Sequence, residues 1–367
     1  MRILIGIPEK GSHGGPAACE PPFTDELRRL GHEVVEEIYA FAGMNMSIAG
    51  RIRRVIGTAR RFRELVRAGN FDLVHINTAA DTKALLRDVA IVRGISGKGP
   101  KIFLKFHGSD GRLLETKNPV LAALQRRLFS QVDGIGVLST EEEANFLRAG
   151  LSAKKVFVVK NAVEKNSQTA SAEFLHRWNL TDDRPLLLFI GRFIKTKGLL
   201  DVIAACGLLR DAGHKFSLLL LGDGPANMEA KDLVKRLNLQ DHVRFFGYIP
   251  EAETVEFYSN STILLFPTYH TEGFPMVIFN AAAAGLPIIT TRIRAAADYL
   301  KEPENCLWVE PRSPDLLAGR ITELLRNAEL RSSMAENNET LAAQFSAEIV
   351  TTEYVEAYRK IVKPTAV

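Results

Sequence analysis

The sequence predicts an α/β protein built from two parallel-sheet domains. Short, almost wholly apolar runs alternate with helical patterns, as is typical of strands buried on both faces of a parallel sheet. The alternation stops in a polar stretch at residues 164–180 and then starts again. The 367 residues also exceed what one hydrophobic core usually organises. Two α/β domains in series account for all three observations.

The predicted strands form two series, one in each half of the chain. The first series is RILIGIP, FDLVHIN, KIFLKFH, GIGVLS and KVFVVKN. The second is PLLLFIG, FSLLLLG, VRFFGYI, TILLFP, LPIITT and CLWVE. Amphipathic stretches such as 199–209 and 231–239 separate members of the second series and predict helices.

These patterns place the first domain at residues 1–165 and the second at 181–344. The remaining stretch, 345–367, has an amphipathic helical pattern. We expect this last helix to cross back to the first domain.

Composition narrows the functional classes. The three cysteines are scattered without metal-ligand spacing, so neither a disulfide framework nor a zinc site is expected, and no metal or other cofactor is predicted. No apolar run reaches about 18 residues, and we expect a cytoplasmic protein. Residues 1–180 hold 27 Lys and Arg against 19 Asp and Glu, which favours an anionic surface or partner. Interleaved aromatic residues are missing from this basic half, so a nucleic-acid partner is not expected.

Polar clusters follow the predicted strands where each strand ends. HGSD follows KIFLKF, GRFIKTKG follows LLLFI, GDGP follows FSLLLL, and TYHTEGFP follows TILLFP. Ligands of open α/β sheets bind at the carboxyl ends of the strands, where helix N-termini present free N–H groups. The sequence therefore predicts a ligand site built from these loops.

Arg192 and Lys197 share one of these loops and could neutralise a diphosphate without a metal ion. Arginine offers a planar fork and lysine a point charge, and both bind phosphoryl oxygens. An ordinary solvated surface pair is the alternative interpretation. Gly222 opens GDGP, which could begin a dinucleotide fingerprint; a tight strand-to-helix turn is the simpler interpretation.

A second candidate group is His107, Gly108 and Asp110 at the predicted edge of the cleft between the domains. A histidine beside a glycine at a strand end is a candidate for contact with the reacting part of a substrate. The alternatives are a structural histidine and an aspartate that only caps a turn.

The third group surrounds Glu272 in TEGFPMVIFNAAAAGLPI. Pro275 suits the first turn of a helix, so the N–H groups of Gly273, Phe274 and the following turn would point outward beside the carboxylate. Sugar hydroxyls could donate to that carboxylate and accept from those N–H groups. Asn280, about two turns on, would reach the same pocket, unless it is a simple surface amide.

Together these motifs resemble the retaining GT-B glycosyltransferases, specifically glycosyltransferase family 4. The resemblance covers nearly the whole chain through GGP, HGSD, KNAVE, GRFIKTKG, GDGP, VRFFGYIP, EGFPMVIFNAAAAGLPII and ENCLWVEP, in that order. It implies two Rossmann-like domains facing across a cleft, with a nucleotide-sugar held mainly by the second.

The resemblance also implies roles for individual residues. Arg192 and Lys197 would bind the donor diphosphate, Glu272 would hold donor sugar hydroxyls, and His107 would lie beside the anomeric carbon; these four are the expected catalytic set. The remaining implied donor contacts are the loop at Gly14 and Gly15, the backbone of Gly273, Phe274 and Pro275, and Tyr248 and Ile249 near the base.

One position departs from the family pattern. Members usually carry a second glutamate where this chain has Asn280, and that glutamate accepts from the ribose hydroxyls. Because an amide loses a charge-assisted hydrogen bond, we expect weaker donor binding or a different ribose pose, with the chemistry retained.

The expected function is metal-independent, retaining transfer of a hexose from a UDP- or GDP-sugar to a glycan or lipid-linked acceptor of the cell surface. A nucleotide-sugar epimerase of similar architecture and a catalytically weak nucleotide-sugar binding relative are the alternatives. Residues 51–67 carry seven arginines with apolar residues at helical spacing, which predicts either an ordinary packed helix or peripheral docking on the anionic inner face of the membrane.

Overall fold

A computed structural model describes residues 1–9, 15–40, 47–109, 114–164, 171–180 and 183–363 of the protein. The chain forms two compact units. Unit 1 comprises Met1–Ala162, Thr271–Phe274 and Ala347–Val367, and unit 2 comprises Val163–His270 and Pro275–Ser346. Each unit contains one six-stranded sheet in which every neighbouring pair of strands is parallel. The predicted α/β class with two parallel sheets is confirmed.

Unit 1 alternates strands and helices from the start of the chain. Its strands are β1 (Arg2–Pro8), β2 (Glu33–Ala40), β3 (Leu73–Ala80), β4 (Lys101–Ser109), β5 (Gly134–Val137) and β6 (Val156–Val158). Its helices are α1 (Gly15–Arg29), α2 (Ile48–Ala68), α3 (Thr82–Ile95), α4 (Pro119–Gln131), α5 (Thr140–Arg148) and the last helix of the chain, α14 (Ala347–Val362).

Unit 2 repeats the alternation. Its strands are β7 (Leu186–Ile190), β8 (Ser217–Leu221), β9 (Val243–Gly247), β10 (Ile263–Phe266), β11 (Ile288–Thr290) and β12 (Cys306–Trp308). Its helices are α6 (Ala172–Arg177), α7 (Leu199–Asp211), α8 (Asn227–Arg236), α9 (Glu251–Asn260), α10 (Met276–Ala283), α11 (Arg294–Tyr299), α12 (Pro314–Arg326) and α13 (Ala328–Ala342), with 3-10 turns at Lys195–Lys197 and Ala343–Phe345.

The strand order gives each sheet one topological switch point. The sheet of unit 1 runs β2-β1-β3-β4-β5-β6, and its order reverses between β1 and β3. The sheet of unit 2 runs β12-β11-β10-β7-β8-β9, the 3-2-1-4-5-6 order of a Rossmann sheet, and reverses between β7 and β10. Ligands of such sheets bind beyond the carboxyl ends of the strands at the switch point. The loops after β7 and β10 therefore hold the expected ligand position of unit 2.

The sequence analysis did not predict one strand, β2. Among the described residues β2 pairs with β1 alone, at the edge of its sheet, and its sequence EVVEEIYA carries three glutamates. An edge strand keeps one side in water, so charged residues are tolerated there and the continuous apolar run of a central strand is lost. The other eleven strands lie within or overlap the predicted runs.

The last helix, α14, packs in the core of unit 1. Tyr354 and Tyr358 are fully buried, and the Tyr354 ring lies 4.7 Å from that of Phe23 in α1. A Cβ on Gly134 of β5 would lie 2.3 Å from Cδ1 of Ile361, so the helix is seated directly on the sheet. Unit 1 therefore takes part of its core from the end of the chain.

Candidate active site

The loop after β7 in unit 2 is shaped by glycines that allow close backbone contact. Gly198 has φ 79° and begins α7, and a Cβ there would lie 2.4 Å from the carbonyl oxygen of Pro267 after β10. Gly222 has φ 134°, and a Cβ there would lie 2.0 Å from the carbonyl oxygen of Gly191. Because side chains at Gly198 and Gly222 would collide with backbone, only glycine lets the three loops meet.

Backbone hydrogen bonds hold these loops together. Phe193 N–H donates to the Asp223 carbonyl at 2.9 Å, and Ala226 N–H donates to the Phe193 carbonyl at 2.9 Å. Tyr269 N–H donates to the Thr196 carbonyl at 2.8 Å, joining the loop after β10 to the 3-10 turn. Gly222 thus belongs to a tight, bonded turn, which accounts for GDGP without a dinucleotide fingerprint.

The three cations of this loop differ in their surroundings. Lys195 forms an ion pair with Glu229 at 2.9 Å. Arg192 is exposed, and within the described ranges the structure shows no ion pair to its guanidinium. The third, Lys197, is half-buried, with Nζ 5.1 Å from the centre of the Phe266 ring.

α7 begins beside these cations at Gly198, and no side chain caps its N-terminus. Free N–H groups of a first helical turn and the helix dipole favour an anion. The switch point of unit 2 therefore combines cations, an uncapped helix start and a rigid backbone.

The predicted base and ribose contacts also lie in unit 2. Tyr248 is 55% exposed and Ile249 is half-buried, just after β9. Pro275 is buried and forms the N-cap of α10, one residue before its first helical turn. Asn280 is half-buried and donates through Nδ2 to Oε1 of Glu251 at 3.1 Å, and partial burial raises the pKa of Glu251. The amide is thus bonded to a neighbouring carboxyl group, a partner that the sequence did not reveal.

In unit 1, the end of β4 is anchored by a buried carboxylate. Glu142 of α5 accepts from Ser109 N–H at 2.6 Å and from Ser109 Oγ at 2.7 Å. The segment Thr271–Phe274 belongs to this unit, and a Cβ on Gly108 would lie 3.3 Å from Gly273 N. His107 and Gly108 lie among the last residues of β4 itself, not beyond the strand as the sequence predicted, and the structure brings them close to the segment that contains Glu272.

A buried ionic network lies beneath His107. Lys105, 2% exposed, pairs with the equally buried Glu20 of α1 at 2.8 Å. Burial alone would raise the pKa of Glu20, but the Lys105 ammonium and His107 outweigh it and hold that pKa well below its usual range. Burial and the nearby ammonium lower the pKa of His107 to about 4, so the imidazole is neutral at neutral pH.

Cys19, Glu20 and His107 place ligand atoms close enough together to surround a metal ion. Two features argue against such an ion. The Lys105 ammonium lies 2.8 Å from Glu20 and 3.9 Å from the Cys19 sulfur, so the group already holds a cation. Burial raises the pKa of Cys19 to about 12, which keeps the thiol protonated, whereas metals bind the thiolate. The prediction that no metal is needed stays a prediction.

Sequence reasoning missed Glu20, Asn77, Lys105 and Glu142. The clearest available signal was Lys105, a charge inside the otherwise apolar run KIFLKF. A buried lysine needs a partner, but nothing in the sequence identifies Glu20 as that partner. Two predicted residues, Gly14 and Asp110, lie outside the described residues, and Gly15 is the first residue of α1.

The comparisons with known proteins follow the same division of the chain. The family model for Glycosyltransferase Family 4 matches residues 20–166, and that for Glycosyl transferases group 1 matches residues 171–341. The fold and these matches define a GT-B glycosyltransferase. The chain belongs to glycosyltransferase family 4.

Three relatives indicate the range of this similarity. N-acetyl-alpha-D-glucosaminyl L-malate synthase of Bacillus anthracis is 24% identical over 99% of this chain and 98% of its own length. N,N'-diacetylbacillosaminyl-diphospho-undecaprenol alpha-1,3-N-acetylgalactosaminyltransferase of Campylobacter jejuni is 26% identical over 62% of this chain and 60% of its own. The crystal structure of Anabaena HepE in complex with UDP-glucose covers 97% of this chain and 98% of its own, with a TM-score of 0.77 and 16% identity.

Within the described ranges, no helix combines the length and apolar character needed to cross a bilayer.

Proposed function

We propose that the protein is a metal-independent, retaining hexosyltransferase that uses a UDP- or GDP-sugar and acts on a glycan or lipid-linked acceptor. The observation that carries the proposal is the rigid loop at the switch point of unit 2. This loop carries Arg192 and Lys197 and ends at the uncapped start of α7, which supports the proposal. A diphosphate is the ligand that this charge arrangement suits.

The same groups would stabilise the leaving diphosphate. As the glycosidic bond breaks, negative charge grows on the β-phosphate, and fixed cations and N–H groups lower the energy of that state. A β-phosphate oxygen would take the proton of the attacking hydroxyl on the same face, through an oxocarbenium-like state. The configuration at the anomeric carbon is then retained.

Unit 1 would supply contacts to the sugar. The Glu272 carboxylate would accept from donor hydroxyls, and His107, beside Gly108, would face the anomeric region. The backbone at Gly273 and Phe274 would donate to sugar oxygens. Gly14 and Gly15 would close over the diphosphate, and Tyr248 with Ile249 would contact the base.

Relatives support the donor and acceptor classes. The Anabaena structure is named for its complex with UDP-glucose, and the Campylobacter enzyme for a diphospho-undecaprenol acceptor. We therefore place UDP-sugars first among donors and isoprenoid-linked glycans first among acceptors.

We further propose that α2 docks on an anionic membrane leaflet at the cytoplasmic face. Its three isoleucines Ile48, Ile52 and Ile56 are 77%, 56% and 46% exposed and share one face at i, i+4 spacing near the start of the helix, whereas Phe62 and Val66, nearer its end, are buried. Arginines flank the exposed face. An exposed apolar face flanked by arginines is typical of a helix that lies in a membrane interface.

Vesicle co-sedimentation tests the membrane proposal. The protein should bind vesicles that contain anionic lipid more tightly than neutral ones, and Ile52→Ser/Ile56→Ser should weaken that binding. Met228→Ser, which removes an exposed apolar side chain from unit 2, is the control. Equal binding to neutral vesicles would refute the electrostatic part.

A thermal-shift panel of UDP, GDP and ADP with their sugar conjugates, run with and without EDTA, tests the donor proposal. A ligand that binds only the folded state raises the melting temperature. The shift should persist in EDTA and shrink in Arg192→Ala, while Lys195→Ala, whose cation is paired, should keep it. Loss of the shift in EDTA would overturn metal independence.

The second candidate is a protein that binds nucleotide-sugars but transfers them poorly. Asn280 stands where the family usually has a glutamate, and its amide is already hydrogen-bonded to Glu251. Product analysis with the best donor and a panel of acceptors separates the candidates. Transfer with retained configuration supports the first, and donor binding without transfer to any acceptor supports the second. Donor conversion without an acceptor would indicate an epimerase.

A further inference from the structure

A chain of buried hydrogen bonds in unit 1 leads from the backbone of β1 to His107. Asn77 of β3 is fully buried; its Nδ2 donates to the carbonyl oxygen of Gly6 at 2.9 Å. Its Oδ1 lies 2.7 Å from Nε2 of His107. The chain crosses the β1–β3 switch point of the sheet.

The backbone fixes the orientation of the Asn77 amide. A carbonyl oxygen can only accept, so the group that faces Gly6 must be the NH₂ end. The reversed amide would set two oxygens against each other at the Gly6 carbonyl and would leave that buried carbonyl without a donor. Oδ1 is therefore the atom presented to His107.

The orientation of the amide decides which imidazole nitrogen carries the proton. Nε2 of His107 faces Asn77 Oδ1 and, at 3.5 Å, the carboxylate of Glu20, and both are acceptors. A neutral imidazole holds one proton, and two acceptors place it on Nε2. The other nitrogen, Nδ1, is shielded from solvent and has no hydrogen-bond partner among the described residues.

We propose that Asn77 is a positioning residue that holds His107 as the Nε2-protonated tautomer and so presents bare Nδ1 as an acceptor for a substrate hydroxyl. Contact of His107 with substrate rests on the proposed function, whereas the tautomer does not. In the opposite tautomer Nδ1 would donate, and a hydroxyl could meet it only as an acceptor. The buried, unpartnered Nδ1 is the position that a hydroxyl would complete.

Nitrogen-15 NMR of histidine-labelled full-length protein tests the tautomer without any ligand. Two-bond correlations distinguish protonated from bare ring nitrogens, and His107→Gln assigns the His107 signals among the eight histidines. We expect protonated Nε2 and bare Nδ1 in the wild type at neutral pH. Protonated Nδ1 would overturn the proposal.

Two variants test the role of Asn77 itself. Asn77→Leu removes one of the two acceptors that face Nε2 and should lower the Nε2-protonated fraction, with Glu20 holding the remainder. Asn77→Asp keeps an acceptor oxygen for His107 and, as the neutral acid that burial favours, a donor for the Gly6 carbonyl, so it should retain the wild-type tautomer. Asn338→Leu in unit 2 is the matched control, because that buried amide also donates to a backbone carbonyl, of Leu286 at 3.0 Å. An unchanged His107 tautomer in Asn77→Leu would overturn the role of Asn77. If Asn77→Leu fails to fold, loss of the wild-type tautomer in Asn77→Asp would also do so.

Donor turnover separates this inference from the proposed function. With the UDP-sugar that gives the largest thermal shift, Asn77→Leu should lower kcat/KM about 3- to 10-fold, as expected for one neutral hydrogen bond, and Asn77→Asp should recover part of it. A shifted tautomer with unchanged kcat/KM would leave the tautomer assignment intact and overturn the hydroxyl contact of His107.

Discussion

The strand ends of the two units are built in opposite ways. In unit 1 the end of β4 rests on fully buried charged and polar side chains, with Lys105 and Glu20 paired beneath His107. In unit 2 the loops after β7, β8 and β10 rest on one another through backbone, and the side chain of Arg192 remains exposed. A buried network fixes the orientation of one ring, whereas a backbone framework leaves the exposed Arg192 guanidinium accessible to an anion.

This difference predicts different sensitivities. Removing one member of a buried network leaves an uncompensated charge. In unit 2, replacing one of the closely packed glycines by alanine would instead place a Cβ atom against a backbone carbonyl oxygen. Four experiments probe this contrast, from the largest expected change in free energy to the smallest.

Lys105→Met should have the largest effect. It leaves the Glu20 carboxylate buried without its counter-ion and should lower the free energy of unfolding of unit 1 by about 3–5 kcal/mol. Amide hydrogen exchange in β3 and β4 measures the change. The double variant Lys105→Met/Glu20→Leu should recover much of the loss, and a double variant as unstable as the single one would contradict the assignment.

Gly222→Ala should lower the stability of unit 2 by about 2–3 kcal/mol, because its Cβ would lie 2.0 Å from the Gly191 carbonyl oxygen. Both tryptophans, Trp178 and Trp308, lie in unit 2, so urea unfolding followed by their fluorescence reports this unit. Gly213→Ala is the control, since Gly213 has φ 77° but open space around it. Equal losses in the two variants would mean that backbone strain, not the collision, dominates.

Acidification should destabilise unit 1 first. Burial lowers the pKa of His107 to about 4 and that of His75 to about 3, against 6.5 for a free histidine. Below pH 6.5 the unfolded chain binds more protons than the folded one. Each further drop of one pH unit should therefore lower the free energy of unfolding by about 1.4 kcal/mol per histidine. Between pH 6.5 and 5 the carboxylate of Glu20 stays ionised in both states. Burial raises the pKa of Asp88 in the same unit, so the comparison is repeated in Asp88→Asn to separate that carboxyl group from the histidines.

Hydrogen exchange in unit 1 and tryptophan fluorescence of unit 2, measured across this window, give the two slopes. His75→Gln should reduce the slope of unit 1. A slope that His75→Gln leaves unchanged would exclude that imidazole as a source.

Asn280→Glu should have the smallest effect. Restoring the glutamate usual in the family places a second carboxylate beside Glu251, and repulsion should offset any gain in donor affinity. With Glu251→Gln added, the new carboxylate should be relieved of that repulsion and tighten binding of the UDP-sugar by about 1 kcal/mol or more. Isothermal titration measures both variants, and tighter binding by the single variant would show that Glu251 does not interfere.

The sequence predicted the features that repeat regularly. Buried parallel strands need continuous apolar runs, so nearly all strands, the sheet class and the polar clusters at strand ends were visible. β2 was missed because an edge strand needs no such run. The family was also visible, because its motifs stand in order at strand ends.

Pairings between distant residues could not be predicted. Glu20 and Lys105 are 85 positions apart, and Asn77 and His107 are 30 positions apart; only the fold brings them into contact. The partner of Asn280 was hidden for the same reason, since Glu251 lies 29 positions earlier in the chain. Residue type and local spacing identify candidates, but the three-dimensional neighbours set their charge and tautomer.

The return of α14 to unit 1 has a consequence for biosynthesis. Tyr354 covers Lys105, with its ring centre 5.4 Å from Nζ, and Tyr358 bonds to His75 in the same core. Until α14 has been translated, unit 1 lacks these two buried rings on the side of its core that holds Lys105 and His75. Unit 1, which contains the earliest strands, is therefore completed only after unit 2 has been translated.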